Sequence, residues 1–123
     1  MFSSTVMDHF ERPRNAGSLE PPCGVGESGS REMGRWAQFT LRVEDDRVTA
    51  ARFRTYGCVP AIAACSCLAE WVEGLTVDEI RSLTARDLID RLGGLPPTRL
   101  FCAALALDAM LASLGQALAQ EAA

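Results

Sequence analysis

The stretch Val48-Thr49-Ala50-Ala51-Arg52-Phe53-Arg54-Thr55-Tyr56-Gly57-Cys58-Val59-Pro60 changes its periodicity once, and that change decides the fold. Ala51, Phe53 and Thr55 alternate with Arg52, Arg54 and Tyr56, the period of two of a strand with one buried face. Gly57 ends the alternation. Pro60 then suits the opening of a helix, where a missing N–H costs nothing. Ile62, Cys65, Ala69 and Val72 share one face of a helix reaching Glu73, and Gly74 stops it.

Outward from this junction the same rules hold. Upstream, Ala37, Phe39, Leu41 and Val43 alternate with Trp36, Gln38, Thr40 and Arg42. With Glu44-Asp45-Asp46-Arg47 as the turn, the two runs form a β-hairpin. Ser4 to Arg12 reads as a short helix capped by Ser4 or Thr5 and stopped by Pro13, and 15–33 reads as a Gly-, Ser- and Pro-rich loop. Downstream, Thr76 with Glu79 and Thr84 with Asp87 have the spacing of capping boxes that open two short helices. The last helix runs from about Thr98 to beyond Leu118, with Leu100, Ala104, Leu107, Leu111, Leu114 and Leu118 as its inward stripe and a tail over 116–123 expected to fray. Strands followed by helices predict an α+β fold in one domain over 1–123, a small antiparallel sheet with helices packed on one face.

Composition bounds the function. The 123 residues carry a net charge of −4, which argues against nucleic acid as a main partner, because phosphate binding needs a basic surface. The first nine residues have neither the basic start nor the apolar core of a signal peptide. The longest apolar run, Phe101 to Leu107, is cut by Asp108 and falls short of the ~20 residues that span a bilayer. Five cysteines, an odd number in a chain with a sizeable core, point to reduced thiols and a cytoplasmic location rather than a disulfide framework.

Gly24-Val25-Gly26-Glu27-Ser28-Gly29 matches a dinucleotide-binding pattern, but Pro21-Pro22 stands where the preceding strand should be and no helix follows. A loop is the better reading. His9, the sole histidine, lies on the first helix and reads as a surface or packing residue. Cys65 and Cys67 point about 200° apart on one helix and do not share a metal; Cys65 packs, and Cys67 has no assignment. Cys23, in the loop, is free to swing toward a site. Cys58 and Cys102 differ from these. Each stands at a loop-to-helix junction, where the positive end of the helix dipole favours thiolate, the form that binds metal and attacks sulfur.

Several segments in fixed order carry a resemblance: Asp8-His9-Phe10-Glu11-Arg12-Pro13-Arg14-Asn15-Ala16-Gly17, the strand ending Thr55-Tyr56-Gly57-Cys58, Ala61-Ile62-Ala63, Glu70-Trp71-Val72, and Leu95-Pro96-Pro97-Thr98-Arg99 ahead of Cys102. Over nearly its whole length the chain resembles the IscU/NifU N-terminal type of iron–sulfur cluster assembly scaffold. The resemblance implies an IscU/SufE-like fold and a scaffold or carrier that is not itself an enzyme. It makes Cys58 and Cys102 the metal and cluster ligands, implies an iron–sulfur cluster (a [2Fe–2S] unit) or zinc as what they hold, and implies a cysteine desulfurase as partner. It also gives Leu95, Pro96, Pro97 and Arg99 as an extended segment read by an Hsp70-type chaperone.

The chain departs from that pattern where ligands are expected. The family's Cys-Gly-Asp falls on Met33-Gly34-Arg35, and the histidine common before the last cysteine is Phe101. Two thiolates remain where a cluster needs four ligands and zinc at least three. Three functions follow from this. The chain is a scaffold that completes its ligands from Cys23, an external thiol or a second protomer in a homodimer. Alternatively it is a persulfide acceptor whose thiolate is favoured by Arg35, or a cofactor-free paralogue that acts as a regulatory interaction module.

Overall fold

The computed structural model describes residues 2–122. Its elements run α1 (Ser4–Glu11), β1 (Gly24–Ser30), β2 (Arg35–Glu44), β3 (Arg47–Tyr56), α2 (Val59–Val72), α3 (Val77–Arg81), α4 (Ala85–Arg91), one 3₁₀ turn (Pro97–Arg99) and α5 (Phe101–Ala122). The strands form an antiparallel sheet in the order β1-β2-β3. α5 lies across β1 and β2, α2 packs on β3 and α5, and α1 covers α2. This is the expected α+β layer.

The hairpin forms as its alternation requires. Ala37, Phe39, Leu41, Ala51 and Phe53 are buried, and the Phe39 and Phe53 rings sit 6.4 Å apart across the pair. Asp45 and Asp46 both take positive φ, 50° and 64°, the left-handed conformation of a tight two-residue hairpin turn. Both capping boxes are present, on Thr76 with Glu79 and Thr84 with Asp87. At α1 the cap is Ser3, one residue earlier than expected: its hydroxyl accepts from the Val6 N–H and donates to the Leu92 carbonyl.

The largest correction is β1, which occupies the stretch read as a loop. Gly24 and Gly26 are buried under α5, and the reason is steric. A Cβ on Gly24 would lie 2.6 Å from Ala117 N, and one on Gly26 would lie 2.6 Å from Ala109 O, both backbone atoms. The glycines that weaken the strand signal are what let the helix backbone approach. Ser113 completes the seam by donating its hydroxyl to the Gly24 carbonyl at 2.9 Å. The Gly-x-Gly pattern is therefore a strand beneath a helix, not a phosphate loop.

The inward face of α5 is correspondingly rotated from the expected leucine stripe. Ala106, Ala109, Met110, Ser113, Leu114 and Ala117 are buried, whereas Leu100 is exposed and precedes the helix. The helix continues through Ala122 instead of fraying after residue 115, since Gln116 accepts from the Val25 N–H and Ala117 is buried. Ala123, the end of the expected frayed tail, lies outside the described residues, as does Met1. By length and composition α5 is the one helix among the described residues that meets the requirements of a membrane span, yet it is spent on the sheet as a core helix.

Candidate functional site

The site grows from the end of β3. Tyr56-Gly57 carries the chain off the sheet and sets Cys58 as the N-cap of α2, with extended backbone (φ −86°, ψ 178°) and no side-chain capping bond. Its sulfur is therefore left to point away from its own helix. Pro96 and the 3₁₀ turn deliver the start of α5 to the same place, where Cys102 is the second helical residue. The two Sγ atoms are 3.7 Å apart although 44 residues separate them. Cys58 is half-buried and Cys102 fully buried behind it.

A cavity of about 230 Å³ opens beside Cys58, walled by Met33, Gly34, Arg35, Gly57, Ala61, Arg99 and Phe101. Met33 projects from the β1–β2 turn and is 62% exposed. The Arg35 guanidinium stacks over the Phe101 ring, 4.5 Å from its centroid. Arg99 contributes a second guanidinium, which donates to the Thr98 carbonyl at 3.2 Å and makes no other hydrogen bond among the described residues. Neither arginine forms an ion pair among the described residues. The residues expected to share one site, Met33, Arg35, Cys58, Phe101 and Cys102, are thus brought together.

Electrostatics correct one expectation. The sequence predicts that the helix start favours thiolate at Cys58 and Cys102 and, in the persulfide-acceptor reading, that Arg35 adds to this. Burial instead pushes the pKa of Cys102 up to about 12, reinforced by Cys58, while Arg99 and Arg35 pull down less strongly. Alone in the folded chain Cys102 is a neutral thiol, and binding a metal there would release its proton.

The other cysteines stay apart from the cavity. Cys65 is fully buried, with its pKa pushed up to about 12 by that burial; Cys67 is buried too, and burial pushes it up to about 11. Cys23 is buried at the far end of β1, where Gly24 pairs with Leu41, whereas Ser30 pairs with Arg35 beside the cavity. At 3.4 Å per residue the strand puts about 20 Å between them, so Cys23 does not swing into the site. Among the described residues no group of three or more potential metal-ligating side chains forms.

Two features went unread in the sequence. Arg99 was assigned only to the Leu95-Pro96-Pro97-Arg99 segment, yet it walls the cavity; its spacing of three from Cys102, about one helical turn, was the available signal. That segment is also not wholly extended, because Arg99 N–H bonds back to the Pro96 carbonyl at 2.8 Å, although Pro97 and Thr98 remain exposed. His9 is buried between α1 and α2. Its Nδ1 lies 2.8 Å from Ser66 Oγ, which also accepts from Arg14 N–H at 2.8 Å. Burial holds its pKa below the ordinary 6.5. It is a packing residue, distant in role from the thiols.

Comparison with known proteins bears on the whole chain. Residues 1–122 match the family described as the NifU-like N terminal domain. The iron-sulfur cluster assembly scaffold protein IscU of Aquifex aeolicus is 40% identical over 111 residues, covering 89% of this chain and 71% of that protein. Its namesake in Escherichia coli K12 is 38% identical over 117 residues, covering 92% and 91%. The crystal structure of a nitrogen-fixing NifU-like protein (N-terminal) from Brucella abortus superposes with a TM-score of 0.75 at 22% identity, covering 96% of this chain and 94% of that one.

Proposed function

This chain belongs to the NifU-like N-terminal domain family, and from that premise we propose that it is a scaffold or carrier in iron–sulfur cluster assembly whose cargo is held by Cys58 and Cys102. The observation that carries the reading is the 3.7 Å separation of two sulfurs, the outer of which, on Cys58, walls a cavity that also collects Met33, Arg35 and Phe101. The chain is not an enzyme in its own right under this reading; it works in the cytoplasm and receives sulfur from a cysteine desulfurase. The exposed Pro97-Thr98 segment beside the site is offered to an Hsp70-type chaperone.

The donor set of one protomer does not match a full cluster. Two thiols fall short of the four ligands of a [2Fe–2S] unit and of the three or four of tetrahedral zinc. Met33 is a neutral thioether, and Arg35 repels a bare metal cation. A four-thiolate [2Fe–2S] unit, by contrast, carries net negative charge, which Arg35 and Arg99 favour. Two protomers meeting at their cavities supply four thiols, and a two-fold pair is the simplest way to do so.

Anaerobic reconstitution with ferrous iron and sulfide tests this. Visible charge-transfer bands should appear and co-elute with protein, and Cys58→Ser and Cys102→Ser should each abolish them. Protein that stays colourless in every oligomeric state refutes the scaffold reading.

The half-buried Cys58 beside two guanidiniums supports a second reading, persulfide acceptance. Its thiolate takes the terminal sulfur from the desulfurase's persulfide and leaves that enzyme's thiolate behind. Cys102→Ser separates the two, since it should lose the cluster and keep persulfide transfer.

A further inference from the structure

The cavity beside Cys58 contains a feature that the scaffold reading leaves unused. Arg35 and Arg99 are two half-buried guanidiniums facing one small space, and neither has a carboxylate partner among the described residues. Of the chain's twelve arginines, Arg12, Arg14, Arg52 and Arg86 form ion pairs; what sets Arg35 and Arg99 apart is that both are half-buried and wall the same cavity as a cysteine. Arg35 is instead held in place by stacking on Phe101, which satisfies its face and leaves the in-plane N–H donors for something else. A guanidinium fork is shaped for a carboxylate. The volume, about 230 Å³, is below that of drug-sized sites and suits a ligand of a few heavy atoms. At its wall stands Cys58, which with Cys102 makes two thiols where a metal or cluster needs more.

We infer that this cavity is an anion-accepting site for a small thiol that carries a carboxylate. Arg35 and Arg99 hold the carboxylate, and the ligand's sulfur stands beside Cys58 and Cys102 as the donor that Met33 does not provide. The inference rests on the scaffold reading for its purpose, but the anion site itself is tested without any cluster. It also assigns Arg35 a use: the substitution that spoils the site for a bare cation suits it to an anionic thiol.

Alkylation of Cys58 by iodoacetate and by iodoacetamide reads the site directly. The reagents differ by a carboxylate in place of an amide; with each, the deprotonated Cys58 sulfur attacks the methylene carbon, forming one C–S bond as the C–I bond breaks and iodide leaves. Cys58 is followed by mass spectrometry, and the ratio of the two rates is compared with that of a free small thiol. Two nearby cations should raise the ratio at Cys58 by about tenfold over the free thiol at low salt. Raising the ionic strength should erode it, a readout that needs no variant. Arg35→Gln with Arg99→Gln should return the ratio to the free-thiol value, and Arg99→Gln alone, which spares the Phe101 stack, should lower it part of the way. The second arm is reconstitution in 3-mercaptopropionate against 2-mercaptoethanol at equal concentration, where the carboxylate thiol should give the greater yield of visible bands. A Cys58 ratio equal to that of the free thiol overturns the inference whatever the cluster does, and so does a cluster that forms in equal yield in the two thiols. A raised, salt-sensitive ratio in protein that forms no cluster under any condition supports the anion site and sinks the scaffold reading alone.

Discussion

Replacing Gly26 by alanine should damage this protein more than any comparable change at an exposed glycine. The added Cβ would meet Ala109 O and Ala112 C at 2.6 Å, and would come closer still to Ser113 N, where ordinary contact begins at 3.4 Å. All three are backbone atoms of α5, so no rotamer change relieves the clash. The helix must retreat by about an ångström, and it carries Ser113 and its bond to Gly24 with it. Overpacking of this kind costs about 1–3 kcal/mol, and the lost hydrogen bond about 1 kcal/mol more. A total of about 3 kcal/mol is a large share of the 5–15 kcal/mol that holds such a domain together. At about 4 °C per kcal/mol for a chain of this size, Tm should fall by about 10 °C in a calorimetric melt. Because α5 also bears Cys102, its retreat should widen the 3.7 Å sulfur gap and speed alkylation of Cys102. Gly115→Ala is the internal control: it sits mid-helix and exposed, with nothing within 4 Å, and should gain up to about 1 kcal/mol. If Gly26→Ala melts within about 3 °C of the parent, the steric account of β1 is wrong.

Four further outcomes follow from burial, charge and donor chemistry. His9 has its folded pKa depressed by burial, so the stability it contributes as a neutral ring is fully present above 6.5, the unfolded value, and is lost as pH falls toward the folded pKa; His9→Gln should flatten that part of a Tm-against-pH profile. Ser66→Ala, which strips the partner from both His9 and the Arg14 N–H, should cost about 1–3 kcal/mol in denaturant unfolding. At pH 8, iodoacetamide should label Cys58 before Cys102, Cys65 and Cys67, whose burial keeps them protonated with pKa values near 12, 12 and 11; mass spectrometry gives the order, and early labelling of Cys102 would contradict its placement. Met33→Cys with Arg35→Asp adds a thiolate and a carboxylate to the two native thiols, completing a tetrahedral donor set, and should raise zinc affinity at least about tenfold in a chelator competition.

Much of the fold could be read from local chemistry, and what could not be read has one cause. The β2–β3 hairpin, both capping boxes and the start of α2 are announced by residues that act on their own neighbours: alternation, Thr-x-x-Glu or Thr-x-x-Asp, Pro after Cys58. β1 is different. Its sequence is dictated by a helix 83 or more residues away, whose backbone needs Gly24 and Gly26 to be bare, so its local pattern reads as loop. The same long-range demand rotates α5: its leucines suggest one face, but the small residues Ala109, Ser113 and Ala117 are the ones that fit against glycine. Propensity favours neither choice. Backbone approach decides both.

The site divides along the same line. Sequence order and resemblance bring Cys58 and Cys102 to one place, but only the packing says how each will behave, because a helix N-terminus and deep burial act in opposite directions on a thiol. For Cys102 burial wins, so the pair is asymmetric: one sulfur at the cavity, one sealed behind it. The departures at residues 35 and 101 likewise look like two separate losses in the sequence. In the fold they are one unit, a guanidinium resting on the Phe101 ring. An aspartate at 35 would gain nothing from Phe101, and a histidine at 101 would, when protonated, repel Arg35. Arg35 and Phe101 therefore act together, and with Arg99 they give the cavity a positively charged wall.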